Sequence, residues 1–472
     1  MFFIQAIVSC KSYKDLKEGE YLVNKVKIEF KKDRNNKSEN RQEYVKMEDL
    51  QKIVKQKPNK KLFGVFNLST NLYAYGNRKD NWFRRWVKKM GDEPVILDLI
   101  KTENSIKQLK LYLVKNGYFL NQTSDTLIIT DSNKKKATVI YKLELNEPYL
   151  IKKLSYFYYD SEIRESINEE IRNSKIKKGK NYDENALKLE RIRIEKNMKE
   201  DGYYNFDKQF ISFDIDSNNL KREVRVTVNI DNPKRNMITK DGLDTLVNYP
   251  HRIYSIQDIY IQIKSGDNRY SSVDTSTLEG YTFVNSTKNS IRPEVILRTM
   301  YFKQGDRYNL KHIEYTYNRL SSLKAFKSIN INVYPRSNDQ NDTTLEVSVE
   351  LELNERHSYT IETEGTNRGG NLGVNGNFRL NNRNTFKGAE IFHFKVLGGL
   401  EAQGTSFEQG KNVAASQIGG SIFNTVEYGF EVGLNIPELF IPKNNSKVPS
   451  YIKPSTEISF GYNYQFRSAY NR

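Results

Sequence analysis

Two hydrophobic rhythms divide this chain. Between about residues 21 and 355, short alternating runs are separated by stretches in which apolar residues recur at helical spacing. From about Tyr359 onward, only alternation remains. The first rhythm predicts strands interleaved with amphipathic helices, and the second predicts strands alone.

The middle of the chain sets the pattern. YLIKKLSYFYYD (149–160) is aromatic and β-branched and predicts a strand. In SEIRESINEEIR (161–172), Ile163, Ile167 and Ile171 fall at helical spacing behind Ser161, a suitable N-cap. Gly179 breaks the chain, and Asp183 opens a second helix with Leu187, Ile194 and Met198 on one face. Gly202 supplies its left-handed stop. FDKQFISFDID and REVRVTVNI then predict two strands, with Val224, Val226, Val228 and Ile230 on one side of the latter. The order is β-α-α-β-β.

That order recurs on either side. Upstream, YLVNKVKIEF (21–30) predicts a strand and KMEDLQKIVKQ (46–56) a helix. SIKQLKLYLVKNGY (105–118) predicts a second helix with Ile106, Leu109 and Leu113 buried, and DTLIIT and KKATVIYKLEL follow as strands. A long insertion between its helices carries both tryptophans. Downstream, IYSIQDIYIQI (253–263) is a strand, and RPEVILRTM (292–300) is a helix with Pro293 in its first turn. QGDRYNLKHIEYTYNRLSSLKAF echoes the middle repeat, and SININVY and TTLEVSVELEL close the third. Gly117-Tyr118 and Gly202-Tyr203 end the second helix of the first two repeats, and Gly179 and Tyr182 are matched by Gly305 and Tyr308. Ala325-Phe326 stands where the third Gly-Tyr is expected. The aromatics after each glycine are expected to pack the following strand onto the helices. Three tandem repeats therefore span 21–147, 148–232 and 247–355.

The C-terminal texture differs. TVEYGFEVGL sets Val426, Tyr428, Phe430, Val432 and Leu434 against Glu427, Gly429, Glu431 and Gly433. EISFGYNYQF sets Ile458, Phe460, Tyr462, Tyr464 and Phe466 against Glu457, Ser459, Gly461, Asn463 and Gln465. NLGVNGNFRL and AEIFHFKVL alternate likewise. Strands of about ten residues, aromatic on one face and Gly-rich or polar on the other, suit a membrane barrel whose apolar face meets lipid. A soluble sandwich would place more Lys and Thr on the second face. Residues 358–472 are thus expected to form the N-terminal part of an outer-membrane β-barrel. About five strands are too few to close one, so the chain as given is expected to stop inside its barrel.

Composition narrows the chemistry. The formal charge is +17 over 472 residues, but Lys and Arg are interspersed with Asp and Glu, and nucleic acid is not an expected partner. A single cysteine excludes a disulfide framework. That cysteine, Cys10, follows MFFIQAIVS and precedes a polar stretch, which reads as the end of a lipoprotein signal with a tether over 1–20. The other reading is a buried cysteine in a hydrophobic N-terminus. His251, His312, His357 and His393 lack metal-ligand spacing. GTSFEQGKN departs from a phosphate loop, and DIDSNN departs from a calcium loop. No acid–base pair stands out, so neither an enzyme nor a cofactor is expected. Trp82 and Trp86 in NWFRRWVKKM form a basic-aromatic patch, expected to anchor the insertion on its own domain, with lipid headgroups or a partner subunit as the alternative.

Taken together, these features resemble the BamA/TamA family of outer-membrane assembly proteins, whose POTRA domains the repeats look like. LVNKVKIEF, QKPNKKLFGVFNLSTNLYAYG, GDEPVILD and LVKNGYF resemble the lipidated TamA-like branch of Bacteroidetes. The family's Arg-Gly-Phe loop motif is absent. The resemblance implies an α+β array of POTRA domains in the periplasm, followed by the first strands of an antiparallel transmembrane β-barrel. It implies insertion of unfolded outer-membrane proteins, received by β-augmentation at a strand edge, with TamB-like or Bam-type accessory subunits and outer-membrane lipid as further partners. It implies lipid on Cys10, and a barrel seam at the first strand near Tyr359, Ile361 and Thr363. A polypeptide secretion pore of the same superfamily and a soluble periplasmic scaffold are the alternative readings.

Overall fold

In a computed structural model of the chain, the expected order β-α-α-β-β appears three times, the third with an added hairpin, and each time the last strand lies between the first strand and the one before it. The structure describes residues 16–31, 45–60, 68–77, 81–131, 135–169, 171–238, 244–264, 274–285, 291–337, 339, 341–368, 371–402, 423, 425–438, 454–467 and 470–471. Cys10 lies outside the described residues. The chain divides into two compact bodies. One holds residues 1–195 and 207–250, and the other 196–206 and 251–472.

The first body contains two repeats. Repeat one runs β1 (Leu22–Phe30), α1 (Met47–Ile53), the inserted helices α2 (Leu68–Asn77) and α3 (Trp82–Met90), then α4 (Leu99–Lys115), β2 (Gln122–Asp131) and β3 (Lys136–Glu144). α4 starts six residues earlier than its apolar spacing predicted. The Asp98 carboxylate accepts from the amides of Ile100 (2.9 Å) and Lys101 (3.2 Å), and this cap extends the helix backward. Leu50, Leu109, Leu113, Tyr118 and Val139 are buried in one core. Repeat two runs β4 (Leu150–Tyr158), α5 (Arg164–Glu169), α6 (Glu184–Glu200), β5 (Ile211–Asn218) and β6 (Glu223–Ile230). Ile163, Ile167, Leu187, Ile194, Val224, Val226, Val228 and Ile230 are all buried, as their spacing predicted. A hairpin, β7 (Lys234–Ile238) with β8 (Asp244–Asn248), follows where the sequence predicted no element.

The second body contains repeat three: β9 (Ser255–Lys264), the hairpin β10 (Asp274–Leu278) and β11 (Tyr281–Asn285), α7 (Pro293–Leu297), α8 (Leu310–Ser322), β12 (Phe326–Pro335) and β13 (Thr344–Leu353). Asn309 caps α8 through the amides of Lys311 and His312. Lys324, two residues past the end of α8, is in the left-handed region at φ 55°. The third left-handed stop is therefore Lys324, and not the Ala325-Phe326 pair expected from sequence. A shared irregularity ties the repeats together. The first strand of each carries one extra residue against the central strand, at Asn24, Lys152 and Gln257.

A six-stranded antiparallel sheet completes this body: β14 (His357–Arg368), β15 (Asn371–Arg383), β16 (Ile391–Ala402), β17 (Thr425–Ile436), β18 (Thr456–Arg467) and β19 (Tyr470–Asn471). Its β15–β16 turn docks on repeat three. Ala389 joins the buried core there, and the amide of Arg292 donates to Lys387 O at 2.9 Å. The Glu390 carboxylate accepts from the amides of Phe386 and Gly388 and closes the turn. Arg298 reaches both carboxylate oxygens of Glu438, at 2.6 and 2.7 Å.

Candidate functional site

Two features of the backbone recur and position everything else. The first is a joint after the second helix. Gly117 and Gly202 sit at φ 89° and 93°, and the amides of Tyr118 and Tyr203 reach back to Leu113 O and Met198 O. This left-handed turn frees the glycine carbonyl. Gly117 O accepts from Tyr149 N at 2.9 Å, and Gly202 O accepts from Tyr254 N at 2.9 Å. Each acceptor is thereby bonded to the first strand of the next repeat. A Cβ on Gly117 would stand 2.8 Å from Tyr182 O, so only glycine lets the two chains approach this closely.

The aromatics divide the work. Tyr118 is buried in its own repeat, as expected, and Tyr203 is likewise buried. The next residue reaches forward instead. Phe119 packs on Tyr149 and Tyr182, and Tyr204 packs on Tyr254 and Tyr308. Burial pushes the Tyr308 hydroxyl up to about 12. The sequence marked Tyr118, Tyr203, Tyr182 and Tyr308 and the aromatic after each Gly-Tyr, but not the partners Tyr149 and Tyr254 on which Phe119 and Tyr204 pack.

The second recurring feature covers the start of each opening strand. Gly179 and Gly305 take φ 79° and 87°. Their amides donate to Ile151 O (2.8 Å) and Ile256 O (2.7 Å). Tyr182 N then bonds Tyr149 O, and Tyr308 N bonds Tyr254 O. In repeat one, the corresponding cover comes from Val95 and Leu97. The opening strands β1 and β4 are sheet edges, but β9 is not, because β11 pairs alongside it. In repeat three the opening strand therefore has no free edge for strand addition.

The outer strands of that sheet are β10 and β12, and β12 is the longer. Arg336 N donates to Thr344 O at 3.0 Å, in register with the β12–β13 ladder. Backbone groups alternate, so Ile329, Ile331 and Val333 aim their N–H and C=O groups away from β13. The Tyr204 hydroxyl donates to Val333 O at 2.7 Å, and Pro335 lacks an N–H. Between β12 and α8 lies a groove of about 410 Å³, lined by Ile313, Tyr317, Ile329 and Ile331 among others. The corresponding strands elsewhere differ. β5 carries Asp214 and Asp216, charges that discourage pairing. β2 exposes Leu127, Ile128 and Ile129 in succession.

The six-stranded sheet sorts most of its side chains by face, with Leu397 an exception on the polar side. One face aligns Tyr359, Leu380, Phe394, Val432 and Phe460 in one cross-strand row, and Ile361, Phe378, Val396, Phe430 and Tyr462 in the next. Most of these are exposed, Tyr359 to 74 % and Phe460 to 67 %. The opposite face aligns Thr360, Arg379, Lys395, Glu431 and Gly461. His393 lies on that polar face, 3.2 Å from Glu431. Tyr359, Ile361 and Thr363 fall on β14, whose outer edge is unpaired among the described residues.

No family model and no curated protein matches this sequence. Among solved structures, the chain is similar to POTRA domains 3–5 of BamA from Haemophilus influenzae, at 14 % identity over 72 % of this chain and 99 % of that one, with a TM-score of 0.32. BamA from Haemophilus ducreyi lacking POTRA domains 1–3 is similar at 10 % identity, over 67 % of this chain and 51 % of that one, with a TM-score of 0.32. CdiB from Acinetobacter baumannii is similar at 12 % identity, over 69 % of this chain and 55 % of that one, with a TM-score of 0.26. The chain spans about half the length of the latter two.

Proposed function

We propose that this chain is an outer-membrane protein assembly factor of the BamA/TamA type, whose repeats act as POTRA domains. An extended segment of an unfolded outer-membrane protein adds as a strand to the β12 edge. The observation that carries this reading is the row of outward backbone groups at Ile329 and Ile331 beside the α8 groove. Main-chain bonds give affinity for any extended chain, and the apolar groove favours alternate apolar side chains, the pattern of a barrel strand. The six-stranded sheet is read as part of a barrel, its aromatic face in lipid and its Gly-rich face inward. β14 is the seam, because an unpaired edge in lipid leaves backbone groups seeking partners. The repeats then lie in the periplasm, Cys10 carries lipid, and TamB-like or Bam-type subunits are candidate partners. The function requires neither nucleotide nor covalent chemistry.

A photo-crosslinking residue at Asn330 tests the edge against an unfolded outer-membrane protein. Ile331→Pro removes one outward N–H and leaves the β13 ladder intact. The expected result is an adduct that this substitution abolishes. An adduct of equal yield in both proteins would sink the β12 assignment.

A further inference from the structure

Strand β2 leaves an aliphatic edge uncovered. Its sheet runs β1-β3-β2, and Val95 and Leu97 cover the start of β1, whereas no strand lies beside β2 among the described residues. The direction of its free backbone groups follows from the far side of the sheet. Lys31 N donates to Leu143 O, so Leu143, Tyr141 and Val139 bond toward β1, while Lys142, Ile140 and Thr138 bond toward β2. The partners of the latter three, Ser124, Thr126 and Ile128, are thereby satisfied. Thr123, Asp125, Leu127 and Ile129 aim N–H and C=O outward. Leu127, Ile128 and Ile129 are also exposed, to 39 %, 45 % and 53 %. Leu127, opposite the core residue Val139, lies with Ile129 on the helix side, and Ile128 lies on the other. Both faces of this edge are therefore apolar at once. Strand edges are ordinarily blunted by charge, as Asp214 and Asp216 do on β5.

We propose that β2 is a self-pairing surface, which joins β2 of a second copy antiparallel about a two-fold axis at Ile128. The edge itself selects this occupant. Thr126-Leu127-Ile128-Ile129-Thr130 reads nearly the same in both directions. Antiparallel pairing about Ile128 sets Ile128 against its own copy, Leu127 against Ile129 and Thr126 against Thr130. A two-fold contact requires that self-complementarity, and aliphatic and Thr–Thr pairs are favourable cross-strand neighbours. The backbone parity agrees. Leu127 and Ile129 exchange the outward main-chain bonds, and Ile128 meets its copy at a close, non-bonded position. A barrel strand fits less well. In β17 and β18 apolar residues alternate with Glu, Gly, Ser, Asn and Gln, so one apolar face of β2 would meet polar side chains. A second β2 covers both faces. The pairing is short, because a bulge at Thr130 ends the regular ladder and the register next sets Asp125 against Asp131. A contact of this extent belongs to the transient class. It stands independently of the reading of β12.

Single cysteines read both the pairing and its register. Cys10 is the chain's only cysteine, so every variant also carries Cys10→Ser. The full chain in detergent micelles is oxidised mildly and run on a non-reducing gel, with far-ultraviolet circular dichroism verifying the fold. Ile128→Cys should give a covalent dimer, because residues opposed at a non-bonded site lie within disulfide reach. Thr126→Cys alone and Thr130→Cys alone should stay monomeric, since each lies well along the strand from its own copy. Mixing those two chains should restore the dimer. A photo-crosslinking residue at Ile128 is then offered unfolded outer-membrane protein, and the expected adduct is still chain to chain. Three results would overturn the proposal: no dimer from Ile128→Cys, an equal yield from Thr126→Cys alone, or a photo-adduct with the unfolded protein and none with a second copy, which would make β2 a substrate edge.

Discussion

The hydroxyl of Tyr204 donates to the carbonyl of Val333 at 2.7 Å, so the joint between two repeats also closes one end of a sheet edge. Ile329 and Ile331 are left facing outward, and Val333 keeps only its N–H. The matching residue in the preceding joint, Phe119, has no hydroxyl to do this. Tyr204→Phe should retain the ring contacts with Tyr254 and Tyr308 and cost about 1 kcal/mol of stability. It should also lengthen the pairing site by one carbonyl. A photo-crosslinker at Asn332 should then capture more unfolded substrate than it does with Tyr204 present. Unchanged capture would mean the hydroxyl does not limit the edge.

The glycines differ in what they are for, and alanine separates them. Gly117 and Gly179 both occupy the left-handed region, but a Cβ meets Tyr182 O at Gly117 and nothing within 4 Å at Gly179. Gly179→Ala should cost about 1–2 kcal/mol, the backbone strain alone. Gly117→Ala should cost more and should open the joint, because its Cβ displaces the next repeat. Amide exchange at Tyr149, which donates to Gly117 O, should accelerate in the second variant only.

Glu190 sets an acid limit on the first body. Its fully buried carboxylate accepts from Arg193 (2.7 and 3.1 Å), from the Lys175 amide (2.7 Å) and from the Tyr156 hydroxyl (2.7 Å). Burial alone raises its pKa, but these donors outweigh burial and hold it below the usual carboxylate range. A depressed folded-state pKa stabilises the protein above the unfolded value, and that share is lost as pH falls through the folded value. Glu190→Gln should lower stability at neutral pH by about 3 kcal/mol, since Arg193 is left buried without its counter-charge. Urea melts from neutral pH down to about pH 4 should show the gap between variant and parent narrowing toward acid.

The two faces of the C-terminal sheet give opposite expectations for one substitution. Phe460→Arg places a charge on the aromatic face and should cost about 2–4 kcal/mol if that face meets acyl chains. Asn463→Arg, on the other face beside Glu427, should be tolerated. Resistance to alkaline extraction from membranes reads the difference. Equal behaviour of the two variants would argue that the sheet does not lie in lipid.

Local patterning determined a great deal here. Period and cap chemistry placed the helices behind Asp183 and Pro293, the strand Glu223–Ile230, and the two faces of β17 and β18, because these depend on which side of one element is apolar. It also marked Gly117, Gly202, Gly179 and Gly305, since a left-handed stop is a local event. What it left open was everything set by pairing. The β10–β11 hairpin, which makes β9 an interior strand, is short, and its partner lies elsewhere in the chain. Whether a strand is an edge depends on its neighbours across the sheet, not on its own residues. The same holds for Phe119 and Tyr204, whose role depends on Tyr149 and Tyr254, 30 and 50 residues later. It holds equally for Trp82 and Trp86, whose apolar rings predict burial until the packing of α2 and α3 turns them outward.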